Sequence, residues 1–306
     1  MTSPPAKPAA TTRLLRPGRV VAVTLALLLS SYLVLATWVV LGIRTHPDWV
    51  NAAPQGAAGR AMNVLLVGTD TPPAGQVARA DTLVIVHLPA DGSAIYLVSL
   101  PRVAQALLPQ GVIQLRTSRV IGGVPLTARA VEQVAGIQLD HVVETDFEGF
   151  AGLADVVGGV TVTNPHASTG DGGRGVPEGP LTLHGREALA FVRDHSVTDQ
   201  VRTERQRSVL KAVLAKLPLA IANPVNLARI STDLVSHVDT DDTVVQDFPE
   251  ILRRVLAGRN RIVGIEPPLL PRTNDWDRPR LDPAGMAVLA QALRDGTMAD
   301  YRPDRP

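Results

Sequence analysis

Residues 191–207, FVRDHSVTDQVRTERQR, gather Arg193, Arg202, Arg205 and Arg207 into a short span. Arginine offers a planar fork of donors that grips phosphate oxygens at two points and keeps its charge. Arg202, Arg205 and Gln206 fall at spacings of three and four, so on a helix they share a face. Arg202 would lie in the first turn, where a positive side chain opposes the helix dipole. That same helix end is a natural anion site, so the placement points to anion binding. Arg193 ends the preceding helical stretch and can converge on it. The plain alternative is a solvated helix face.

Acids sit in comparable places. Asp70 ends the strand-like run NVLLVGTD, and Asp81 opens the next one, ADTLVIV. Two carboxylates where strands meet loops can share a hard cation. Magnesium is usually held by one or two protein carboxylates, with waters and substrate phosphates completing the shell. Arg79 lies beside Asp81, and Arg102 follows YLVSLP. Each has an ordinary reading: a turn cap for Asp70, a solvated acid for Asp81, a surface charge for Arg79, an ion pair for Arg102. Taken together they describe a magnesium–pyrophosphate pocket. Other chemistries lack their motifs: the chain has no G-x-S-x-G, H-E-x-x-H, Walker A or Cys/His metal spacing.

The elements that must position these groups can be read along the chain. Its 306 residues suffice for a sizeable core. A net charge of +1 and 3% aromatics exclude the basic field and stacking platforms of nucleic-acid binders. Cysteine is absent, which excludes disulfides and thiolate sites. Residues 20–43, VVAVTLALLLSSYLVLATWVVLGI, carry no charge and are long enough to span a bilayer. Lys7, Arg13, Arg16 and Arg19 precede them, so residues 1–19 read as a cytoplasmic tail and everything after residue 44 lies outside. Trp38 and Trp49 suit the outer interface. The length favours an uncleaved signal anchor over a signal peptide. Residues 44–61 read as an Ala/Gly/Pro-rich linker, and 62–306 as one extracytoplasmic domain.

Within that domain MNVLLVG, TLVIVHL, AIYLVSL, HVVETDF, GVTVTNP and RIVGIEP read as strands, the second and third joined by the turn PADGS. TARAVEQVAGI, EGFAGLADVVGG, LHGREALAFVRD, VRTERQRSVLKAVLAKL, PVNLARISTDLVSHV, VVQDFPEILRRVLAG and PAGMAVLAQALRDG read as helices. STGDGGRGVPEGP reads as a mobile loop. The class is α/β (α+β), a mixed central sheet flanked by helices and preceded by one transmembrane helix.

NVLLVGTD, ARADTLVIVHL, YLVSLPR, VAGIQLDHVVETDFEGFAGLADVVGGVTV, LTLHGREALAFVR and RTERQR, in that order, resemble the LytR-CpsA-Psr (LCP) family of bacterial cell-wall enzymes. The resemblance spans about residues 62–217. It implies a membrane-anchored phosphotransferase that moves a glycopolymer from a polyprenyl-pyrophosphate-linked glycan to a sugar hydroxyl of peptidoglycan. It also implies Mg2+ (or Mn2+) on Asp70 and Asp81. Pyrophosphate contacts fall to Arg79, Arg102, Arg193, Arg202 and Gln206, with His195 beside them, and Asp70, Asp81 and Arg102 are the catalytic set. Three places depart from the family's pattern: Val103 follows Arg102 where Asp is usual, His195 replaces a second arginine, and the usual K-I/L-N-A-A-Y segment is unrecognisable around Gln114-Leu115-Arg116. The first two favour the alternative of a catalytically weakened lipid binder. Pyrophosphatase action would be a side reaction. A membrane-bound transcriptional attenuator is disfavoured because the short tail cannot form a DNA-binding domain.

Overall fold

β-Branched and leucine-rich runs with few polar positions make strands that can be buried on both faces, and such strands form the centre of the chain. The computed structural model describes residues 30, 32, 37, 42–50, 59–70, 77–170, 173, 175–230, 235–271 and 279–302. Apart from five positions, the expected span 20–43 lies outside them. Among the described residues no helix is long and apolar enough to cross a membrane.

The strands in chain order are β1 (Arg44–His46), β2 (Met62–Thr69), β3 (Ala80–Leu88), β4 (Ile95–Ser99), β5 (Gln105–Leu108), β6 (Gly111–Gln114), β7 (His141–Asp146), β8 (Val160–Asn164), β9 (Gly179–Leu183), β10 (Val238–Asp241) and β11 (Ile262–Ile265). The helices are α1 (Leu115–Ala135), α2 (Phe147–Val156), α3 (Gly185–Arg193), α4 (Asp199–Ile221), α5 (Pro224–Arg229), α6 (Val244–Gly258) and α7 (Pro283–Asp295). The main sheet is mixed and runs β1-β10-β7-β2-β3-β4-β11. β2 pairs antiparallel with β3 and parallel with β7, and β3 pairs antiparallel with β4. The mixed sheet flanked by helices is the expected fold class.

Strand alternation assigns the two faces. Leu65, Val67, Leu83, Ile85, Tyr96 and Val98 pack with α1 and α7, against Val131, Leu289 and Leu293. Their neighbours Val64, Val84, Val86, Ile95 and Leu97 pack on the other face with Val255 of α6 and Leu210 and Leu214 of α4. A third cluster joins α2, α3 and α4 to the β8–β9 hairpin through Val160, Phe191 and Val209. Glycines stop two of the helices: Gly136 closes α1 at φ 65 and Gly296 closes α7 at φ 70, where a side chain would be strained.

Several boundaries differ from the sequence reading. The linker assigned to 44–61 is partly built into the domain. β1 pairs with β10, Arg44 facing Asp239, and Trp49 is buried and stacked on His46 at 4.4 Å between ring centroids. Trp49 therefore packs in the core rather than standing at an interface, and residues 51–58 lie outside the described set. The helix expected over 224–238 shortens to α5, and Val238–Asp241 becomes a strand. There Asp241 accepts the backbone N–H of Val142 at 2.8 Å, a tertiary tie that helical spacing does not reveal. Both ends of the expected loop 168–180 are paired: Ser168 bridges Val176, and Gly179 and Pro180 already belong to β9.

Candidate functional site

Topology brings the singled-out residues to one edge. β2 and β7 run parallel, β3 runs against β2, and β4 against β3, so the ends of β2, β4 and β7 adjoin the start of β3. Clefts outside the carboxyl ends of strands are where α/β sheets bind ligands. Asp70 follows β2, Arg102 follows β4, and Asp146 ends β7. Asp81 sits at a bulge, since Gly68 pairs with Thr82 and Thr69 with Ala80. A bulge leaves one residue unpaired and re-aims its side chain, here at the sheet edge.

The side chains there form a chain of alternating charge. Arg102 donates to Asp81 at 2.6 Å and to Asp199 at 3.3 Å. Asp199 also accepts from Arg202 in the first turn of α4. Arg193, at the last turn of α3, pairs with Asp70 at 3.2 Å and lies 4.7 Å from the centre of the Phe147 ring. Arg79 and His195 are exposed on the connections that lead into β3 and α4. Gln206 is half-buried, and its amide nitrogen lies 3.5 Å from the carbonyl of Val192. Val103 is half-buried in the turn after Arg102. Thus Asp70, Asp81, Arg102, Arg193 and Arg202 enter two adjoining ion-pair networks. Arg79, His195 and Gln206 flank them.

Arg205 does not share this site, although its spacing puts it beside Arg202. It is buried, and so is its partner Asp194, 2.7 Å away. Its other donors go to Asn164, the His166 carbonyl and Ser168, and its guanidinium covers the Phe191 ring at 4.6 Å. Burial pushes the Asp194 carboxyl up, but hydrogen bonds from Ser168, Ser196 and Arg205 prevail and hold it below the usual carboxylate range. This hub fixes the α3–α4 connection, which carries His195 and leads to Asp199.

Sequence reasoning also missed Arg119, Glu144 and Asp199. Arg119 of α1 grips both oxygens of Glu144 at 2.6 Å and donates to the carbonyl of Ala78 at 3.1 Å. The hydrogen bonds to Glu144 raise its already high pKa. One guanidinium thereby ties α1, β7 and the segment that carries Arg79 and Asp81. The first turn of α1 also holds the Arg102 turn, through the Arg116 N–H on the Arg102 carbonyl at 2.8 Å. No local pattern announces these pairs.

The profile of the LytR_cpsA_psr family matches residues 44–277. The chain belongs to the LytR_cpsA_psr family. Among curated proteins it is 27% identical over 216 residues to the polyisoprenyl-teichoic acid–peptidoglycan teichoic acid transferase TagU of Oceanobacillus iheyensis, covering 67% of this chain and 66% of that protein. With the TagU of Bacillus subtilis it shares 31% over 160 residues, 51% of this chain and 52% of the relative. The matched region thus spans from about half to just under two thirds of these relatives. Among solved structures, the LytR-Csp2A-Psr enzyme from Actinomyces oris superposes with a TM-score of 0.65 at 22% identity, covering 85% of this chain and 97% of that one. TagT bound to LIIa-WTA gives 0.64 at 23%, with 80% and 92% covered. At these identities the structural likeness speaks for the fold.

Proposed function

We propose that this LytR_cpsA_psr protein is a phosphotransferase that moves a glycopolymer from a polyprenyl-pyrophosphate carrier to a sugar hydroxyl of peptidoglycan. The observation that carries the reading is the pair of networks, Asp81–Arg102–Asp199–Arg202 and Asp70–Arg193, at the carboxyl ends of the strands. The names of the TagU relatives support the polymer and acceptor classes.

The donor set suits a hard cation: carboxylate oxygens from Asp70 and Asp81 stand at the same sheet edge. They would hold Mg2+ (or Mn2+), which when bound neutralises charge on the phosphates. Arg102, Arg193 and Arg202 grip the phosphate oxygens, with Arg79, His195 and Gln206 at the margin. Phosphoryl transfer needs positioning and charge neutralisation more than a covalent intermediate. The acceptor hydroxyl attacks the glycan-side phosphorus, and its proton passes to water at the open side of the site. The bond to the bridging oxygen breaks, and polyprenyl phosphate leaves. Residues 20–43 anchor the chain, with the domain outside the membrane. Val103 and His195 favour the second reading, a binder of the same lipid with weak turnover.

Native mass spectrometry of the purified full chain tests the ligand class. Co-purified polyprenyl phosphates are expected, and their loss is expected in Arg102→Ala. A wild-type chain that carries none, and binds none when supplied, would overturn the reading.

A further inference from the structure

Among the described residues, Asp199 is an acid of the site that touches two arginines. It opens α4 behind the Thr198 cap, whose side chain accepts from Val201. One carboxylate oxygen of Asp199 bridges the guanidinium groups of Arg102 and Arg202. Exposure separates the partners sharply: the Asp199 side chain is 51% exposed, Arg102 23% and Arg202 10%. The arginines are therefore held by the fold, while the carboxylate that joins them reaches in from solvent.

We infer that Asp199 is a displaceable carboxylate that fills the anion site between Arg102 and Arg202 until a phosphate group takes its place. This rests on the pyrophosphate-binding reading above and adds a residue to it. A carboxylate and a phosphate present the same kind of acceptor oxygens to a guanidinium fork, so one can substitute for the other. Displacement is cheap because solvent reaches the Asp199 side of the pair, and ion pairs open to solvent are held weakly. Asp199 can swing outward by side-chain rotation alone, its backbone being fixed in the first turn of α4. Asp81 within the site and Asp194 outside it are held more firmly. Asp81 is 22% exposed and 2.6 Å from Arg102, and Asp194 is wholly enclosed with Arg205. Placing the acid in the first turn also offsets the cost of Arg202 there, since an N-terminal carboxylate is favoured by the helix dipole. The arginines thus stay ordered and charged-paired while empty, and the site does not need to collapse onto other anions.

The opposite reading gives the opposite sign. If Asp199 orients the arginines, or acts as a metal ligand, its removal must weaken binding. The test is the affinity of the full chain in detergent for geranylgeranyl diphosphate, without and with magnesium, for wild type, Asp199→Asn, Asp199→Glu and Arg202→Ala. Asp199→Asn is expected to tighten binding by roughly three- to tenfold in both conditions, because the competing charge is gone. Asp199→Glu, which keeps the charge, should stay near wild type, and Arg202→Ala should lose affinity. Weaker binding by Asp199→Asn in either condition overturns the inference and leaves the pyrophosphate reading standing. Failure of that reading would look different: wild type would not bind the diphosphate, Arg202→Ala would change nothing, and the inference would fall with it.

Discussion

Arg205→Leu removes the cation of a fully enclosed pair and leaves Asp194 behind. Breaking one side of such a pair costs about 3–5 kcal/mol, because the remaining charge keeps its burial and loses its partner. Asn164 and Ser168 lose a donor as well, and the Phe191 ring loses its cover. Arg205→Lys keeps the charge but can replace only part of the fork, so a loss of roughly 2–3 kcal/mol is expected from the missing hydrogen bonds. The pH dependence has a definite sign. In the native chain the depressed carboxyl of Asp194 contributes stability above its ordinary value of 3.8, lost as pH falls through the folded-state value. In Arg205→Leu burial acts without that counterion and raises the carboxyl, so the deficit should narrow as pH falls toward about 4. Urea unfolding of the full chain in detergent, followed by circular dichroism, gives both numbers. A loss under about 1 kcal/mol in Arg205→Leu at neutral pH would refute the reasoning, since a pair of that worth behaves as an exposed one.

Three further outcomes follow from other positions. His87 is enclosed, and burial, aided by Arg254, lowers its pKa from 6.5 to about 4. The unfolded chain binds the proton first as pH falls, so stability should drop by on the order of 3 kcal/mol between those values. Melting temperatures across that window should slope in wild type and flatten in His87→Phe; parallel curves would contradict this. Arg119→Lys cannot grip both Glu144 oxygens and the Ala78 carbonyl, so roughly 1–3 kcal/mol should be lost. Hydrogen exchange around residues 78–82 should quicken, and unchanged exchange would show that Arg119 does not hold that segment. A side chain at Gly185 would place its Cβ 2.2 Å from the Asp155 carboxylate, which accepts the Gly185 N–H at 2.7 Å. Gly185→Ala should therefore cost roughly 1–3 kcal/mol by overpacking, with Asp155→Ala in the same chain relieving the clash; an unchanged urea midpoint for Gly185→Ala would speak against the close approach.

What could be read in advance follows from how local each signal is. MNVLLVG, TLVIVHL and AIYLVSL are apolar on both faces, and they are the strands whose two faces meet different helices. Gly136 and Gly296 end helices because the left-handed conformation there is a property of single residues. Strand ends put Asp70, Asp81 and Arg102 at one edge, and both arginines at helix ends entered the networks. Partners across the chain were not legible. A three-residue strand such as β1 exists only because Val238–Asp241 lies beside it. Spacing placed Arg202 and Arg205 on one helix face but could not tell which joins the site, since both are buried. The small turn between them along the face sends one to Asp199 and the other to Asp194. Arg119 and Glu144 sit in unremarkable helix and strand contexts, so only the fold reveals their pairing.

The central claim concerns transfer, and the most direct measurement supplies both substrates. Purified full chain in detergent with magnesium is given a synthetic prenyl-diphosphate-linked disaccharide and soluble peptidoglycan oligomers, and the products are weighed by mass spectrometry. The account predicts an oligomer enlarged by the disaccharide phosphate and an equal amount of prenyl phosphate, both lost in Asp81→Asn and Arg102→Ala. Prenyl phosphate appearing in wild type with free disaccharide phosphate and no enlarged oligomer would contradict it.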